Sequence, residues 1–459
     1  MHLKTIPALL LAGLTACGAA RTPATDALEK RLPLAVASVT LENGLRVYVH
    51  EDHRVPLVAV AVAYRAGSAQ DPPGKKGLAH LVEHIMFEGS EHAPRGALDD
   101  KLLEAGAAHH NAFTTFDETV YHETVPTGEL ETALFLESDR MGYPTPSFGA
   151  LDSVRAVVLN ELRQRYDSAP GGRGRMLLHA ALFPEPHPYH ALPIGTEKDL
   201  ESIQLSDVRD FWIRNYGPDN ATLVIAGDVK QGQGIALARR WFSTLPKGPP
   251  RPKVSAIAPV SLQKDVTMTL NAAVELPSIY LGWVSPPLTD PTSSDALALA
   301  RRMSWAAAGR LVEKKLARNI GGHAQSLVYA GTITMQFNLE PGVKREVVLQ
   351  EIDRSFENLS KWLRWSHGDD DAKEAIYDDF TQRVYELDGL NGRATAFAVC
   401  DAQFGDPRCT PKLLRGLERV SRDRMLDTLR TRVFNAHRAI VFVEPASGAS
   451  LGGDLLEVH

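Results

Sequence analysis

Two histidines four residues apart, with a glutamate directly before the second, are the residues best placed to do chemistry. His80, Glu83 and His84 lie in the run of residues 77–89. Successive residues of an α-helix turn by about 100°, so positions three and four residues after His80 return to nearly the same direction as His80. The three side chains therefore fall within an arc of about 100° on one face of the helix. Two imidazoles one turn apart can bind one zinc ion, and the carboxylate between them can hold a water molecule against it. The spacing therefore predicts a helical site for zinc-dependent hydrolysis.

A catalytic zinc ion usually has a third protein ligand and keeps its fourth position open. Glu161 is the candidate, since it lies in residues 151–166, a stretch of helical spacing with an apolar face of valine and leucine. A helix would hold this carboxylate rigidly. By itself the same glutamate also fits a solvated position on the helix surface.

Short strands and helices surround the motif and must position it. Residues 39–49 predict a hairpin around an Asn-Gly turn, and the valine-rich run 55–64 predicts another strand. A loop at residues 67–76 leads into the motif helix. Residues 109–125 are rich in threonine and aromatic side chains and predict one or two further strands.

The same order of elements restarts after a proline-rich segment. Two apolar strands, residues 266–270 and 279–284, are followed by a loop and a helix, as in the first half. We therefore interpret the chain as two diverged copies of one unit. Residues 295–301 stand where the motif would be in the second copy and contain no ligand set, so only the first half can carry the metal.

These patterns predict an α+β fold with two homologous domains, each a mostly antiparallel sheet packed with helices. The predicted segments begin with a signal peptide (1–16) and a lipidated cysteine with its tether (17–36). A zinc-binding catalytic domain (37–246), a linker (247–256), a second domain without a metal site (257–446) and a tail (447–459) follow.

Length and charge exclude several classes of protein. A chain of 459 residues with 44% apolar and 23% charged residues is globular and long enough for two or three domains. Its net charge of −6, without a basic stripe, argues against a nucleic-acid partner. Cys400 and Cys409 could form a disulfide in an exported protein, and two free thiols are also compatible with the sequence.

The amino terminus has the pattern of a bacterial export signal. An apolar run, residues 6–14, follows Lys4 and is too short to span a bilayer. It leads into Leu-Thr-Ala-Cys, which resembles the lipobox of bacterial lipoproteins, so Cys17 is the predicted lipidation site and membrane anchor. An aspartate directly after the lipidated cysteine would indicate retention in the inner membrane, and this chain has Gly18 there. The predicted location is therefore the outer membrane of the cell envelope, facing the periplasm. An ordinary signal peptide cut near Ala16 is the alternative.

The motif and several flanking blocks resemble the pitrilysin/insulinase family of zinc peptidases, which includes the mitochondrial processing peptidases. Glutamate stands before the second histidine, as in the inverted form of the commoner zinc motif. The resemblance extends over residues 38–445 and is strongest in the first half. The blocks that carry it are residues 77–89, 111–121, 137–141, 187–195 and 218–229.

The resemblance implies a role for each residue of the motif. His80, His84 and Glu161 would bind one Zn²⁺ per chain, and Glu83 would act as general base on the zinc-bound water. It also implies that the two halves, or two chains, form a clamshell around the cleavage site. An extended peptide would add as a strand to Asn111, Ala112, Phe113 and Thr114.

Three positions depart from the family. Where many relatives carry a further glutamate seven residues before the third ligand, this chain has Val154, which removes a carboxylate from beside the metal. Where single-chain relatives carry an arginine and a tyrosine in the second half, it has Val312 and Asn319. The missing pair predicts a homologous partner chain that supplies it; a homodimer or an active lone chain is the alternative.

The predicted function is that of a zinc metalloendopeptidase that hydrolyses peptides or unfolded polypeptide segments. The alternative from another class is a non-catalytic assembly or interaction subunit of a membrane-associated complex. The complete set of motif residues argues against this alternative, because non-catalytic relatives tend to lose them.

Overall fold

The computed structural model describes residues 24–32, 34–250, 257, 259–365 and 370–459. It contains a short amino-terminal unit, up to Ala35, and a main unit, from Val36 to His459. The first unit contains helix α1 (Ala24–Arg31). The predicted signal peptide, Cys17 and much of the predicted linker lie outside the described residues.

The first half of the main unit is built on a six-stranded mixed sheet. Its strands are β1 (Ala37–Thr40), β2 (Arg46–Glu51), β3 (Leu57–Tyr64), β4 (His109–Thr114), β5 (Thr119–Pro126) and β6 (Ala221–Gly227). They lie in the order β1-β2-β6-β3-β5-β4, and only the pairing of β2 with β6 is parallel. The central strands β3 and β6 are almost wholly buried, since both of their faces are covered.

The second half repeats this sheet. Its strands are β7 (Val266–Ala272), β8 (Ser278–Ser285), β9 (Ala317–Gln325), β10 (Gly331–Leu339), β11 (Ala439–Pro445) and β12 (Asp454–Val458). The order β12-β7-β11-β8-β10-β9 reproduces the first sheet position by position, with β7 and β11 parallel and β12 in the place of β1. The predicted α+β fold with two mostly antiparallel sheets is confirmed. The residues predicted to be a tail include the edge strand β12.

Helices pack around both sheets. Those of the first half are α2 (Leu78–Ile85), α3 (Ala97–Glu104), α4 (Leu130–Gly142), α5 (Phe148–Leu162), α6 (Arg173–Leu182), α7 (Glu197–Ser202), α8 (Leu205–Asn215) and α9 (Gln231–Phe242). Those of the second half are α10 (Ser293–Leu311), α11 (Arg345–Trp365), α12 (Asp370–Asp388), α13 (Leu390–Phe404), α14 (Cys409–Glu418) and α15 (Arg422–Leu429). A π-helical turn, Arg163–Asp167, continues α5.

Each half contributes one helix to the sheet of the other half. Helix α6 packs against β8 and β11, where a β-carbon on Gly282 would come within 2.8 Å of Leu182 Cδ1. Helix α13 packs against β3, β5 and β6. Its buried Asp401 accepts hydrogen bonds from Arg46 Nε at 2.6 Å and from the Tyr48 hydroxyl at 2.9 Å. The two halves are therefore interlocked by exchanged helices as well as joined by the chain.

The two cysteines of the second half form a disulfide. Cys400 lies on α13 and Cys409 begins α14, so the bond ties these two helices together. Of the two states that the sequence allows, the structure shows the oxidised one. The helix that covers the first sheet is thereby fixed to the rest of the second half.

Candidate metal centre and active site

A buried aspartate fixes the start of the motif helix. Both carboxylate oxygens of Asp71 accept backbone hydrogen bonds at 2.8 Å, one from Gly77 and one from Ala79. These bonds satisfy amide groups that have no partner within the first turn of a helix. Gly77 has a φ of +94°, and a β-carbon there would come within 2.8 Å of the Ile194 carbonyl oxygen. Glycine is therefore required where the chain enters α2.

Three ligand atoms converge between α2 and α5. The Nε2 atoms of His80 and His84 are 3.3 Å apart, and Oε2 of Glu161 lies 3.7 Å from each of them. Tetrahedral zinc with bonds of about 2.0–2.1 Å places its ligand atoms about 3.3 Å from one another. The triangle of one oxygen and two nitrogens therefore fits one face of a zinc site and leaves a fourth position open.

Both imidazoles are in the form that binds metals. Burial lowers the pKa of His80 to about 3. Burial also lowers the pKa of His84, against the opposing effect of the Glu161 carboxylate. Neutral imidazoles with a free ring nitrogen at pH 7 are the state that zinc requires.

The two glutamates of the site are held in different ways. Glu83 also has a carboxylate oxygen within 4.8 Å of both imidazoles, so distance alone does not decide which glutamate completes the triangle. Thr114 Oγ1 donates a 2.5 Å hydrogen bond to Oε2 of Glu83, and burial raises the pKa of this carboxyl to about 7. One oxygen of Glu161 faces both imidazoles, and its other oxygen pairs with Arg165 Nη2 at 2.7 Å. These contacts favour Glu161 as the third ligand and leave Glu83 available for proton transfer.

A second threonine lies beside the one that contacts Glu83. Thr119 Oγ1, on β5, is 3.1 Å from Thr114 Oγ1 and donates its hydrogen to the Ala66 carbonyl oxygen at 2.9 Å. Thr119 is buried and packs next to Thr114 without donating to it. The hydrogen bond that positions the glutamate of the motif from outside its own helix therefore comes from Thr114 on β4.

The predicted substrate residues lie on strand β4. This strand is at the edge of the first sheet, and no strand of the described part of the chain pairs with its outer side. Such an edge presents unpaired backbone donors and acceptors. Asn111 is exposed and its Oδ1 accepts a 2.8 Å hydrogen bond from the backbone of Ala112. The side chain of Thr114 contacts Glu83 instead of pointing to solvent.

The structure locates the three departures from the family pattern. Val154 is buried in the hydrophobic core beneath α5. Val312 is 46% exposed just after α10, and Asn319 is exposed on β9, where it accepts a 2.6 Å hydrogen bond from Asn338. Sequence reasoning missed Arg165 as the partner of Glu161, although the i, i+4 spacing on a predicted helix could have indicated it.

Family models match two adjoining stretches of the chain. The model described as insulinase (peptidase family M16) matches residues 46–190, and the model described as peptidase M16 inactive domain matches residues 202–362. The chain belongs to peptidase family M16. The resemblance seen in the sequence is thereby confirmed, and the stretch matched by the insulinase model contains the motif.

Named relatives of this M16 protein include proteases and subunits of complexes. It is 29% identical to zinc protease PqqE of Helicobacter pylori over 337 residues. The aligned residues cover 71% of this chain and 74% of PqqE. It is 27% identical to mitochondrial-processing peptidase subunit beta of Blastocladiella emersonii, over 52% of this chain and 50% of that one. It is 29% identical to cytochrome b-c1 complex subunit 1 of Bos taurus, over 45% and 42% of the two chains. The last two matches span half or less of those relatives.

Solved structures share the M16 fold. A protease from Helicobacter pylori superposes with a TM-score of 0.80 at 24% identity, over 90% of this chain and 99% of the other. The periplasmic protease PqqL from Escherichia coli superposes with a TM-score of 0.69 at 18% identity, over 91% of this chain and 49% of the other. Both likenesses extend across the two sheets.

Proposed function

We propose that this M16 protein is a zinc metalloendopeptidase that hydrolyses peptides or unfolded polypeptide segments. The convergence of His80, His84 and Glu161 is the observation that carries the proposal, because these residues would hold one Zn²⁺. When bound, zinc polarises a peptide carbonyl group and makes water a nucleophile near neutral pH. The name of its relative PqqE, a zinc protease, supports the same chemistry.

Glu83 is the proposed carrier of the proton. Its carboxylate lies beside the triangle of ligand atoms and is oriented by the Thr114 hydroxyl. It would accept a proton from the attacking water and deliver it to the nitrogen of the leaving amine. The second proton transfer completes the cleavage of the peptide bond and returns the carboxylate to its starting form.

The open edge of β4 is the proposed binding site for the substrate backbone. An extended peptide can add to such an edge as a further strand, with backbone hydrogen bonds that do not depend on its sequence. Asn111, Ala112 and Phe113 would contribute these contacts. Only an extended segment fits this mode of binding, which is why peptides and unfolded segments are the proposed substrates.

Metal content and cleavage test the proposal together. The purified protein is expected to hold one zinc per chain and to cleave members of a mixed peptide pool, as followed by mass spectrometry. Removal of zinc by a chelator should abolish cleavage, and added zinc should restore it. His84→Ala should lose both zinc and cleavage, whereas His92→Ala, which changes an exposed histidine outside the triangle, should retain both. Full-rate cleavage by zinc-free protein would overturn the proposal.

A partner chain is the proposed source of the missing arginine and tyrosine. Val312 and Asn319 occupy their places and cannot bind a substrate carbonyl group as a cation and a phenol would. Two of the named relatives are subunits of larger assemblies, which supports a complex here as well. The chain alone should then cleave peptides slowly, and a co-purified homologous chain that carries the pair should raise the rate. A lone chain with full activity, unaffected by such a partner, would contradict this.

The complex subunit among the relatives also supports the second candidate, a non-catalytic assembly subunit. A non-catalytic subunit has no use for an ordered general base, so the hydrogen bond that holds Glu83 favours the peptidase. The two candidates differ in one measurement. The assembly subunit would join its complex with unchanged affinity when Glu83 is replaced, and no preparation of it would cleave peptides.

The proposed location is the periplasmic face of the bacterial outer membrane, with Cys17 lipidated. The structural relative PqqL is described as periplasmic, and the disulfide suits an oxidising compartment. Within the described residues, no helix is long and apolar enough to cross a bilayer. Metabolic labelling with a fatty acid should mark the wild-type chain and not Cys17→Ser; equal labelling of both would contradict lipidation at this residue.

A further inference from the structure

A cleft between the two halves is lined by one arginine and, among the described residues, by no acidic side chain. Its volume is about 480 Å³, and it is bounded by Tyr166 and α6 on one side and by β9 and β10 on the other. Among the residues that line it, none is aspartate or glutamate. The remaining lining is mostly apolar, and its polar groups include the side-chain amides of Gln325 and Gln336.

Arg175 supplies the charge of this cleft. Its guanidinium lies 5.8 Å from the centre of the Tyr166 ring, and no carboxylate of the described residues forms an ion pair with it. The other arginines of this stretch are all paired. Arg163 contacts Glu197 at 2.6 Å, Arg165 contacts Glu161 at 2.7 Å and Arg173 contacts Asp167 at 2.7 Å.

The histidine on the wall of α6 does not add to this charge. Burial lowers the pKa of His179 to about 4, and its ring stacks on Phe116 with 5.0 Å between the ring centres. The exposed Arg175 is thus the permanently charged cation of the cleft. A guanidinium held on an aromatic ring keeps its planar edge free for a second planar group, and a carboxylate can accept two parallel hydrogen bonds from it.

The cleft starts close to the proposed metal site. Tyr166 follows Glu161 by five residues in one continuous helical run, so it lies about 7 Å further along the helix axis. An extended peptide advances about 3.3 Å per residue, so a few residues of chain are long enough to span the distance between the level of Glu161 and the level of Tyr166. The interlocking of the two halves fixes both walls of this passage.

We propose that this cleft is a subsite for a carboxylate of the peptide substrate, bound by Arg175. The carboxylate is either an acidic side chain or the carboxyl terminus of the peptide. The inference rests on the proposed peptidase function and narrows its substrates to peptides with an acidic group a few residues from the cleaved bond.

Three matched peptides test this subsite. One contains a single glutamate, the second has glutamine in its place, and the third keeps the glutamate but ends in an amide. The wild-type protein should cleave the glutamate peptide with a kcat/KM about tenfold above that of the glutamine peptide, the size expected of one charge-assisted hydrogen bond. A loss seen only with the amidated peptide would identify the carboxyl terminus as the group bound.

Three variants assign the effect to Arg175. Arg175→Gln should abolish the preference, and Arg175→Glu should reverse it in favour of a peptide with lysine at the same position. Arg163→Gln removes the same charge from a neighbouring arginine outside the cleft and should retain the preference. Fluorescence anisotropy with Glu83→Gln protein measures the same differences as dissociation constants without cleavage.

The possible failures are distinguishable. If the wild-type protein cleaves all three peptides with equal kcat/KM, and binding is also equal, the carboxylate subsite is refuted and the peptidase function stands. If none of the three peptides is cleaved, the binding constants alone still decide whether Arg175 selects a carboxylate, and zinc-dependent cleavage of the mixed peptide pool decides the proposed function separately.

Discussion

Thr114 Oγ1 donates a 2.5 Å hydrogen bond to Oε2 of Glu83, which joins the edge strand of the first sheet to the glutamate of the motif. The same strand, β4, is the proposed binding site for the substrate backbone. A peptide that adds to this strand would therefore lie next to the hydroxyl group that holds Glu83. In the proposed mechanism, substrate binding and proton transfer share one strand as their support.

Replacing Thr114 by valine should lower kcat and leave zinc binding intact. Valine has the shape of threonine without the hydroxyl, so Glu83 would lose the donor that orients it. We expect a fall in kcat of about tenfold or more, part of the factor that a positioned acid–base group supplies. KM and zinc content should stay near the wild-type values. Thr114→Ser, which keeps the hydroxyl, is the control; equal kcat in the valine variant would show that this bond does not position the base.

Replacing Arg165 by alanine should weaken zinc binding. Arg165 Nη2 pairs with the oxygen of Glu161 that does not face the imidazoles. Loss of a side chain that orients a metal ligand in this way typically weakens metal binding about tenfold or more. Competition with a zinc-binding dye measures the dissociation constant. Arg163→Ala removes an exposed arginine paired with Glu197 and serves as the control. If both variants bind zinc equally well, Arg165 has no role in orienting Glu161.

Replacing Asp71 by alanine should destabilise the protein through the motif helix. Two backbone amide groups at the start of α2 would lose their acceptor, at a cost of about 1–2 kcal/mol in the free energy of unfolding. Urea unfolding followed by circular dichroism gives this value. Asp100→Ala, an exposed substitution in the first turn of α3, should cost much less. Equal losses from the two variants would refute the capping role of Asp71.

Reduction of the disulfide should lower stability. The bond closes a short loop between Cys400 and Cys409, and a loop of this length contributes about 2–3 kcal/mol by restricting the unfolded chain. Thermal unfolding with and without a reducing agent measures the effect. The double variant Cys400→Ser and Cys409→Ser should match the reduced protein and show no response to the reagent. If reduction leaves the melting temperature of the wild-type protein unchanged, the disulfide does not stabilise the fold as expected.

The sequence predicts the local parts of this structure well. The motif helix, Glu161 on a helix and the strand that contains Thr114 follow from spacing, residue type and family resemblance, because each depends on neighbours in the chain. The repeat of strand, strand, loop and helix in the second half follows for the same reason. These elements include all the ligand atoms of the candidate metal centre.

Long-range contacts account for what the sequence does not predict. The sequence predicts neither α6 nor α13, and no local pattern shows that each covers the sheet of the other half. The cap from Asp71 depends on the path of a loop, and the isolation of Arg175 depends on where the second half meets the first. Such contacts join residues that are far apart along the chain, and the local sequence around them does not predict that they come together in the fold.

The variant Glu83→Gln tests the central claim most directly. Glutamine keeps the size and shape of the side chain but cannot accept the proton from water, so the ligand triangle stays intact while the base is lost. We predict a zinc content equal to that of the wild-type protein and a rate of peptide cleavage lower by at least about a hundredfold. Cleavage at the wild-type rate by zinc-loaded Glu83→Gln protein would contradict the account.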